Sequence, residues 1–158
     1  MKILVFSDSH RALGTMYDAI ERLRPDAVLH LGDHLEDAES MESVFSSVDF
    51  YHVPGNCDFF TSAPPSLTIS LDGVRIFLTH GHMYGVRFTT KPLCDAAAQS
   101  GCDIAVYGHT HVAEISPGRI TVLNPGSVAR PRDAMQGSFL IVELERGQKP
   151  DCHLIRFA

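Results

Sequence analysis

Lys2-Ile3-Leu4-Val5-Phe6-Ser7-Asp8-Ser9-His10 decides the fold: a strand-forming apolar run ends abruptly on hydroxyl, carboxylate and imidazole groups. An apolar run without alternation reads as a strand buried on both faces, the habit of a parallel sheet covered by helices. The segments that follow keep the same grammar. Leu13, Met16, Ile20 and Leu23 recur at three- and four-residue steps, an amphipathic helix closed by Pro25. Ala27–Leu31 is a second apolar strand ending on Gly32-Asp33. A helix from Asp37 to Phe45 then leads to a third strand, Phe50–Val53, ending on Pro54-Gly55-Asn56. Such strand–helix–strand alternation predicts parallel strands joined by crossover helices.

The second half is richer in hairpins. Leu67, Ile69 and Leu71 alternate with polar residues, and Asp72-Gly73 separates them from Val74–Thr79. A helix is expected over Thr90 to Gln99, and a buried strand over Asp103–Tyr107 ends at Gly108-His109. Two more hairpins turn at Pro117-Gly118, between Ala113–Ser116 and Arg119–Leu123, and at 147–150, between Ser138–Glu145 and Cys152–Phe157. The reading is one α/β domain over residues 1–158, with two sheets and helices outside.

The chain has 158 residues, with 13 Lys+Arg and 19 Asp+Glu, so the net charge is 13 − 19 = −6. That balance argues against broad attraction to nucleic acid or membranes. No apolar run approaches the roughly 20 residues of a membrane helix, and the N-terminal run reaches an acid too soon for a signal peptide. Cys57, Cys94, Cys102 and Cys152 form no CxxC pair, which predicts reduced thiols and a cytoplasmic setting.

Polar clusters recur where the expected strands stop: Asp8 and His10, Asp33, Asn56 and Asp58, His80 and His82, His109 and His111. Taken singly, each is a turn former, a helix cap or a surface histidine. Five clusters at equivalent positions point instead to a ligand site, because loops at the C-terminal ends of open α/β sheets converge on a crevice. Imidazole and oxygen donors suit Mn, Fe, Zn or Ni. Asp8, His10, Asp33, Asn56, His80, His109 and His111 are too many donors for one tetrahedral ion. Two ions sharing a carboxylate would use all seven, and such pairs, about 3.5–4 Å apart, clamp phosphoryl groups during in-line displacement. Two divalent ions against Asp8 and Asp33 leave an excess of about +2, the local positive charge that the overall balance lacks.

In their order and spacing, Asp8-Ser9-His10, Gly32-Asp33, Gly55-Asn56-Cys57-Asp58, His80-Gly81-His82 and Gly108-His109-Thr110-His111 resemble the motifs of the calcineurin-like metallophosphoesterases. Short length, Gly-Asn-Cys-Asp and Asn124-Pro125-Gly126-Ser127 before Arg130-Pro131-Arg132 are similar to the small YfcE-type phosphodiesterases. The resemblance implies a four-layer αββα sandwich with two mixed sheets. It implies a first metal on Asp8, His10 and His111, a second on Asn56, His80 and His109, and Asp33 between them. It further implies in-line attack on phosphorus by a hydroxide bridging the metals. Manganese is the first expectation for the two divalent ions, with Ni, Fe and Zn open. The implied substrate is a small phosphodiester, with a phosphomonoester as alternative. A scaffold is the third reading, since the same small fold resembles a retromer subunit with degraded metal motifs. Exposed hairpin edges leave room for a homo-oligomer.

Many larger members of the family it resembles carry His after the motif asparagine, where this chain has Cys57, whose thiol, with an ordinary pKa of about 8.5, matches the leaving-group acid poorly. His82 is the candidate replacement, and support of a neighbouring ligand is its other reading. Asp33 and Asn56 complete the expected catalytic set. Asp58 either orients Asn56 or a metal-bound water, or caps a turn. His30 reads as packed core, His34 and Asp37 first as solvated loop and helix cap with lining of the cleft as the other reading, and His52 and His153 as structural. Phe59 and Phe60 read first as core, Cys94, Cys102 and Cys152 as buried apolar residues, and Asn124–Ser127 as a turn. Arg130 and Arg132 read as loop arginines, with a substrate phosphate as the second reading.

Overall fold

The structure is a computed structural model describing residues 1–158. The chain runs β1 (Lys2–Phe6), α1 (Leu13–Leu23), β2 (Ala27–His30), α2 (Leu35–Val44), β3 (Asp49–His52), β4 (Ser66–Leu71) and β5 (Val74–Thr79). After a 3₁₀ turn at His82–Tyr84 come α3 (Lys91–Gln99), β6 (Ile104–Val106), β7 (Ala113–Ser116), β8 (Thr121–Pro125), β9 (Ser138–Glu143) and β10 (Asp151–Arg156). Two five-stranded sheets form, in the orders β10-β9-β1-β2-β3 and β4-β5-β6-β8-β7. Both are mixed. β1, β2 and β3 are parallel, as are β5, β6 and β8, while β9, β10, β4 and β7 pair antiparallel.

The period of two along β1 explains the layers. Ile3 and Val5 face the second sheet, sharing a core with Ala27 and Leu29 of β2 and with Ile76, Leu78, Ile104 and Leu123. Leu4 and Phe6 face the other way, onto Met16 and Ile20 of α1 and Met41 of α2. The second sheet repeats the scheme, with Phe77, Ala105 and Val122 packed against Leu93 and Ala97 of α3. A run apolar at every position therefore serves two cores, and the expected αββα sandwich results. Full burial of each such Leu or Ile contributes about 1.5–3 kcal/mol. The parallel strands of each sheet share one direction, so their C-terminal ends meet along a single rim.

Several local expectations need correction. α2 begins at Leu35, two residues before Asp37. Asp37 is buried in its first turn, accepting bonds from Ser9 Oγ at 2.7 Å and Arg11 N at 2.8 Å. Asp58 does not bond Asn56; its Oδ1 accepts from His34 N and Leu35 N, both at 2.9 Å, and Oδ2 from Gly55 N at 2.8 Å. It therefore supplies, from another loop, the acceptor that the start of α2 lacks locally. Phe59 and Phe60 are exposed rather than core, and of the three cysteines read as buried only Cys102 is fully so.

Asn124 and Pro125 finish β8 rather than starting a turn. The Asn124 amide, fully buried, donates to Gly108 O at 3.1 Å and Thr110 Oγ1 at 3.0 Å, and accepts from Gly126 N at 2.9 Å. It ties the end of β8 to the loop after β6. Asn124→Ala strands buried backbone groups and should cost about 2–3 kcal/mol, read as a lower urea midpoint with unchanged m-value.

Candidate metal centre

All seven expected donors lie on loops leaving the strand ends, and many sit in an unusual backbone conformation. Asp8 (φ 53°), His10 (42°), Asp33 (57°), His109 (66°) and His111 (60°) are left-handed, which costs a residue bearing a Cβ roughly 1–2 kcal/mol. Strain of this kind persists where surrounding structure enforces it. Here glycines let the loops interpenetrate: a Cβ on Gly55 would lie 2.2 Å from Asp33 Oδ1, and one on Gly108 would lie 1.9 Å from Ser7 Oγ.

Each donor is held by its other atoms. Asp8 Oδ2 accepts from Ser7 Oγ at 2.6 Å and His109 N at 3.1 Å, leaving Oδ1 buried with no hydrogen bond. His10 Nε2 is likewise buried and unpartnered. His80 Nδ1 lies 2.6 Å from Leu31 O and His111 Nδ1 2.7 Å from Arg130 O. A carbonyl oxygen only accepts, so in the neutral form of each ring Nδ1 carries the proton and Nε2 presents a lone pair. Those lone pairs meet further acceptors. His80 Nε2 is 3.0 Å from Asn56 Oδ1, 3.3 Å from His109 Nδ1 and 3.5 Å from Asp33 Oδ1. His111 Nε2 is 3.1 Å from Asp8 Oδ1.

Donor atoms of Asp8, His10, Asp33 and His111 all lie within 4.8 Å of one another. Unpartnered lone pairs aimed at common points fit divalent cations. Asp8, His10 and His111 gather on one side, and Asn56, His80 and His109 on the other. Asp33 lies against both groups, with Cys57 N donating to its Oδ1 at 2.9 Å. His82 sits at the rim, its ring centroid 5.4 Å from that of His80 and 6.0 Å from that of His109.

The charges respond to this crowding. Burial pushes the Asp8 carboxyl up, but the nearby His111 imidazole, the charge of His80 and the Ser7 hydroxyl together hold it below the usual range. The nearby Asp8 carboxylate raises the pKa of His111 against the effect of burial. Burial, then His80 and Arg87, bring His109 down to about 4. Burial, then Arg130, lowers His10. Burial, Asp33 and Asp58 lift the Cys57 thiol to about 11, so it keeps its proton at neutrality.

Sequence reasoning missed Ser7, which has no signal beyond its place beside Asp8, and Arg87, whose Nε donates to His109 Nε2 at 3.1 Å. It also missed the use made of His30. This residue is core, as expected, but its Nε2 lies 2.9 Å from Ser9 Oγ and its Nδ1 accepts from Gly32 N at 3.3 Å. Ser9 Oγ donates its only proton to Asp37, so His30 carries its proton on Nε2. The imidazole thus ties the Asp8–His10 loop to the Gly32–Asp33 loop.

A family model described as the calcineurin-like phosphoesterase superfamily domain matches residues 1–147. A probable metallophosphoesterase of Bacillus subtilis, YsnB, is 30% identical over 162 residues, covering 99% of this chain and 90% of that protein. The phosphodiesterase YfcE of Escherichia coli is 37% identical over 97 residues, 55% of this chain and 48% of YfcE. Among solved structures, a predicted phosphoesterase from Streptococcus pneumoniae superposes with a TM-score of 0.83 at 29% identity, covering 98% of this chain and 88% of the other. Vps29 from Entamoeba histolytica complexed with zinc has the same fold, with a TM-score of 0.76 at 22% identity and full coverage of both chains.

Burial lowers the pKa of His30 to about 4, against the opposing charge of Asp37. Its folded pKa thus lies below the unfolded value of about 6.5, so its contribution is complete above that value and is lost as pH falls toward 4. For chelator-treated protein, His30 alone should remove about 2 kcal/mol between pH 7 and pH 5. Urea titrations across that range should show a shallower decline for His30→Gln than for the native sequence.

Proposed function

The chain belongs to the calcineurin-like phosphoesterase superfamily and is a metal-dependent phosphoesterase; from that premise we propose a binuclear phosphodiesterase that hydrolyses small phosphodiesters. The convergence of lone pairs from all seven donors carries this reading, since a non-catalytic scaffold has no need to keep every one. Asp8, His10 and His111 would hold one divalent ion, and Asn56, His80 and His109 the other, with Asp33 between them. Such ions supply a water of lowered pKa and positive charge for the phosphoryl oxygens, the chemistry of in-line displacement. Manganese is the proposed native metal on its fit to mixed nitrogen and oxygen donors.

The chain's own residues fix the geometry. Leu31 O and Arg130 O orient the imidazoles of His80 and His111, and Ser7 with His109 N aims the Asp8 carboxylate. Outer contacts of this sort typically govern metal affinity by 10–100-fold. Cys57 is a weak proton donor, and His82, whose pKa burial and His80 lower, is mostly neutral at pH 7. Activated leaving groups should therefore react best, with His82 hydrogen-bonding the departing oxygen. The name of YfcE supports the diester as substrate class. Four free cysteines agree with action in the cytoplasm.

Metal-stripped protein should regain hydrolysis of bis(p-nitrophenyl) phosphate when Mn, Ni, Zn, Fe(II) or Mg is restored singly, Mn giving the highest rate. Asn56→Ala should lose at least about 100-fold in kcat/KM. Equal turnover of p-nitrophenyl phosphate would favour the monoesterase, and metal binding without turnover of either ester the scaffold. In a parallel series, His82→Ala should slow diesters with poor leaving groups more than nitrophenyl diesters; equal losses on both would remove His82 from the leaving-group step.

A further inference from the structure

We propose that Arg87, Arg130 and Arg132 form a second anion subsite beside the metal centre, so that the substrate is a phosphodiester bearing a further phosphate group. The proposal rests on the phosphodiesterase reading above. The three arginines line one cavity of about 320 Å³, whose walls also include Asp33 and three of the donor imidazoles, with Cys57 its single apolar residue. That volume is at the small end for ligand pockets; it suits the reacting phosphate and one neighbouring group, with the rest of the molecule outside.

These guanidiniums have no carboxylate partner, although the chain holds 19 acids against 13 bases. Elsewhere cations find acids readily: Arg156 Nη2 meets Asp133 at 2.7 Å and Lys91 meets Asp95 at 2.8 Å. Around the cavity the three guanidiniums stand among three donor imidazoles, those of His10, His109 and His111. Three guanidiniums lining one small cavity without a carboxylate partner suit an anion that accepts paired hydrogen bonds.

The backbone of the subsite is anchored to the centre itself. Arg130 N donates to Ser127 Oγ at 2.8 Å, and Ser127 Oγ donates to Asp8 O at 2.8 Å. Arg130 O lies 2.7 Å from His111 Nδ1, and Arg132 N donates to His111 O at 2.9 Å. Both arginines are thus fastened to donor residues, with Pro131 stiffening the link between them. Arg87 holds only His109 Nε2. A ring that gives the Nδ1 lone pair to a metal carries its proton on Nε2 and stops accepting, which frees the Arg87 guanidinium for a ligand.

Charge selects the ligand. Two divalent ions less Asp8 and Asp33 leave about +2, already in excess of a diester monoanion. Three guanidiniums enlarge that excess, and a terminal phosphate, with about −1.5 to −2 at neutral pH, offsets much of it.

Two thymidine esters separate the possibilities. Thymidine 5′-(p-nitrophenyl phosphate) carries only the diester, and its 3′-phosphate adds the second anion to the same leaving group. With Mn-loaded protein the 3′-phosphate should raise kcat/KM about tenfold or more, the worth of charge-assisted hydrogen bonds. Arg130→Gln/Arg132→Gln should bring that ratio close to one, and the corresponding Lys pair should restore part of it. Calorimetry supplies a readout independent of turnover. Thymidine 3′,5′-bisphosphate should bind about tenfold more tightly than thymidine 5′-monophosphate, with chelator as well as with Mn, and the Gln pair should lose this preference. Equal kcat/KM for the two esters, or a ratio that survives the Gln pair, overturns the subsite and leaves the phosphodiesterase standing. Failure to cleave either ester overturns the phosphodiesterase reading, and the two affinities then decide the subsite, equal values overturning it.

Discussion

Carboxylate, amide and imidazole donor atoms crowded around one centre are the constraint around which this structure is organised. Asp8 Oδ1, Asn56 Oδ1 and the Nε2 atoms of His80 and His111 crowd one another because their remaining polar atoms are committed to backbone or neighbouring side chains. In an isolated loop such atoms would turn to water. Here the loops cannot turn. Gly55 and Gly108 bring backbone against Asp33 and Ser7 so closely that no side chain fits between, and five donors are held in a left-handed conformation. Packing of the two sheets offsets that local cost, since β1, β2, β5 and β6, which end at the rim, are buried along most of their length.

The outer shell of the centre is more extensive than its ligands. Ser9, His30 and Asp37 link the first two donor loops through a buried chain of hydrogen bonds. Asp58 links the Gly55 loop to α2, Asn124 braces the Gly108 loop, and Ser127 joins the Asp8 loop to the arginine segment. Most of these links join residues from distant parts of the chain. Fully satisfied buried networks specify one geometry, whereas a single unpaired member is expensive. The same side chains that support the fold also position the donor loops, and a substitution at Asn124 or His30 should act on both.

Fold and donor set were largely legible in the sequence because both rest on local signals. Unbroken apolar runs marked the buried strands, three- and four-residue spacing marked α1, and the five polar clusters at strand ends marked the rim. What misled was chemistry whose partner lies elsewhere. Asp37 has the composition of a helix cap, yet its carboxylate turns inward because Ser9 and Arg11 N are there to receive it. Asn124-Pro125 has the composition of a turn, yet it continues β8 because Gly108 and Thr110 occupy the amide. Phe59 and Phe60 are apolar, yet the loop that carries them leaves them exposed.

The sequence by itself determined the alternation of strands and helices and the identity of the donors, since side-chain period and donor type are properties of neighbouring residues. Only the tertiary structure decided which nitrogen of each imidazole faces the centre, and that Arg87, Arg130 and Arg132 share one cavity. Arg87 follows β5, whereas Arg130 and Arg132 follow β8, and no pattern along the chain relates segments so far apart. Both sheets must close before those guanidiniums share a cavity, and hydrogen bonds to Leu31 O and Arg130 O must form before His80 and His111 turn their lone pairs inward.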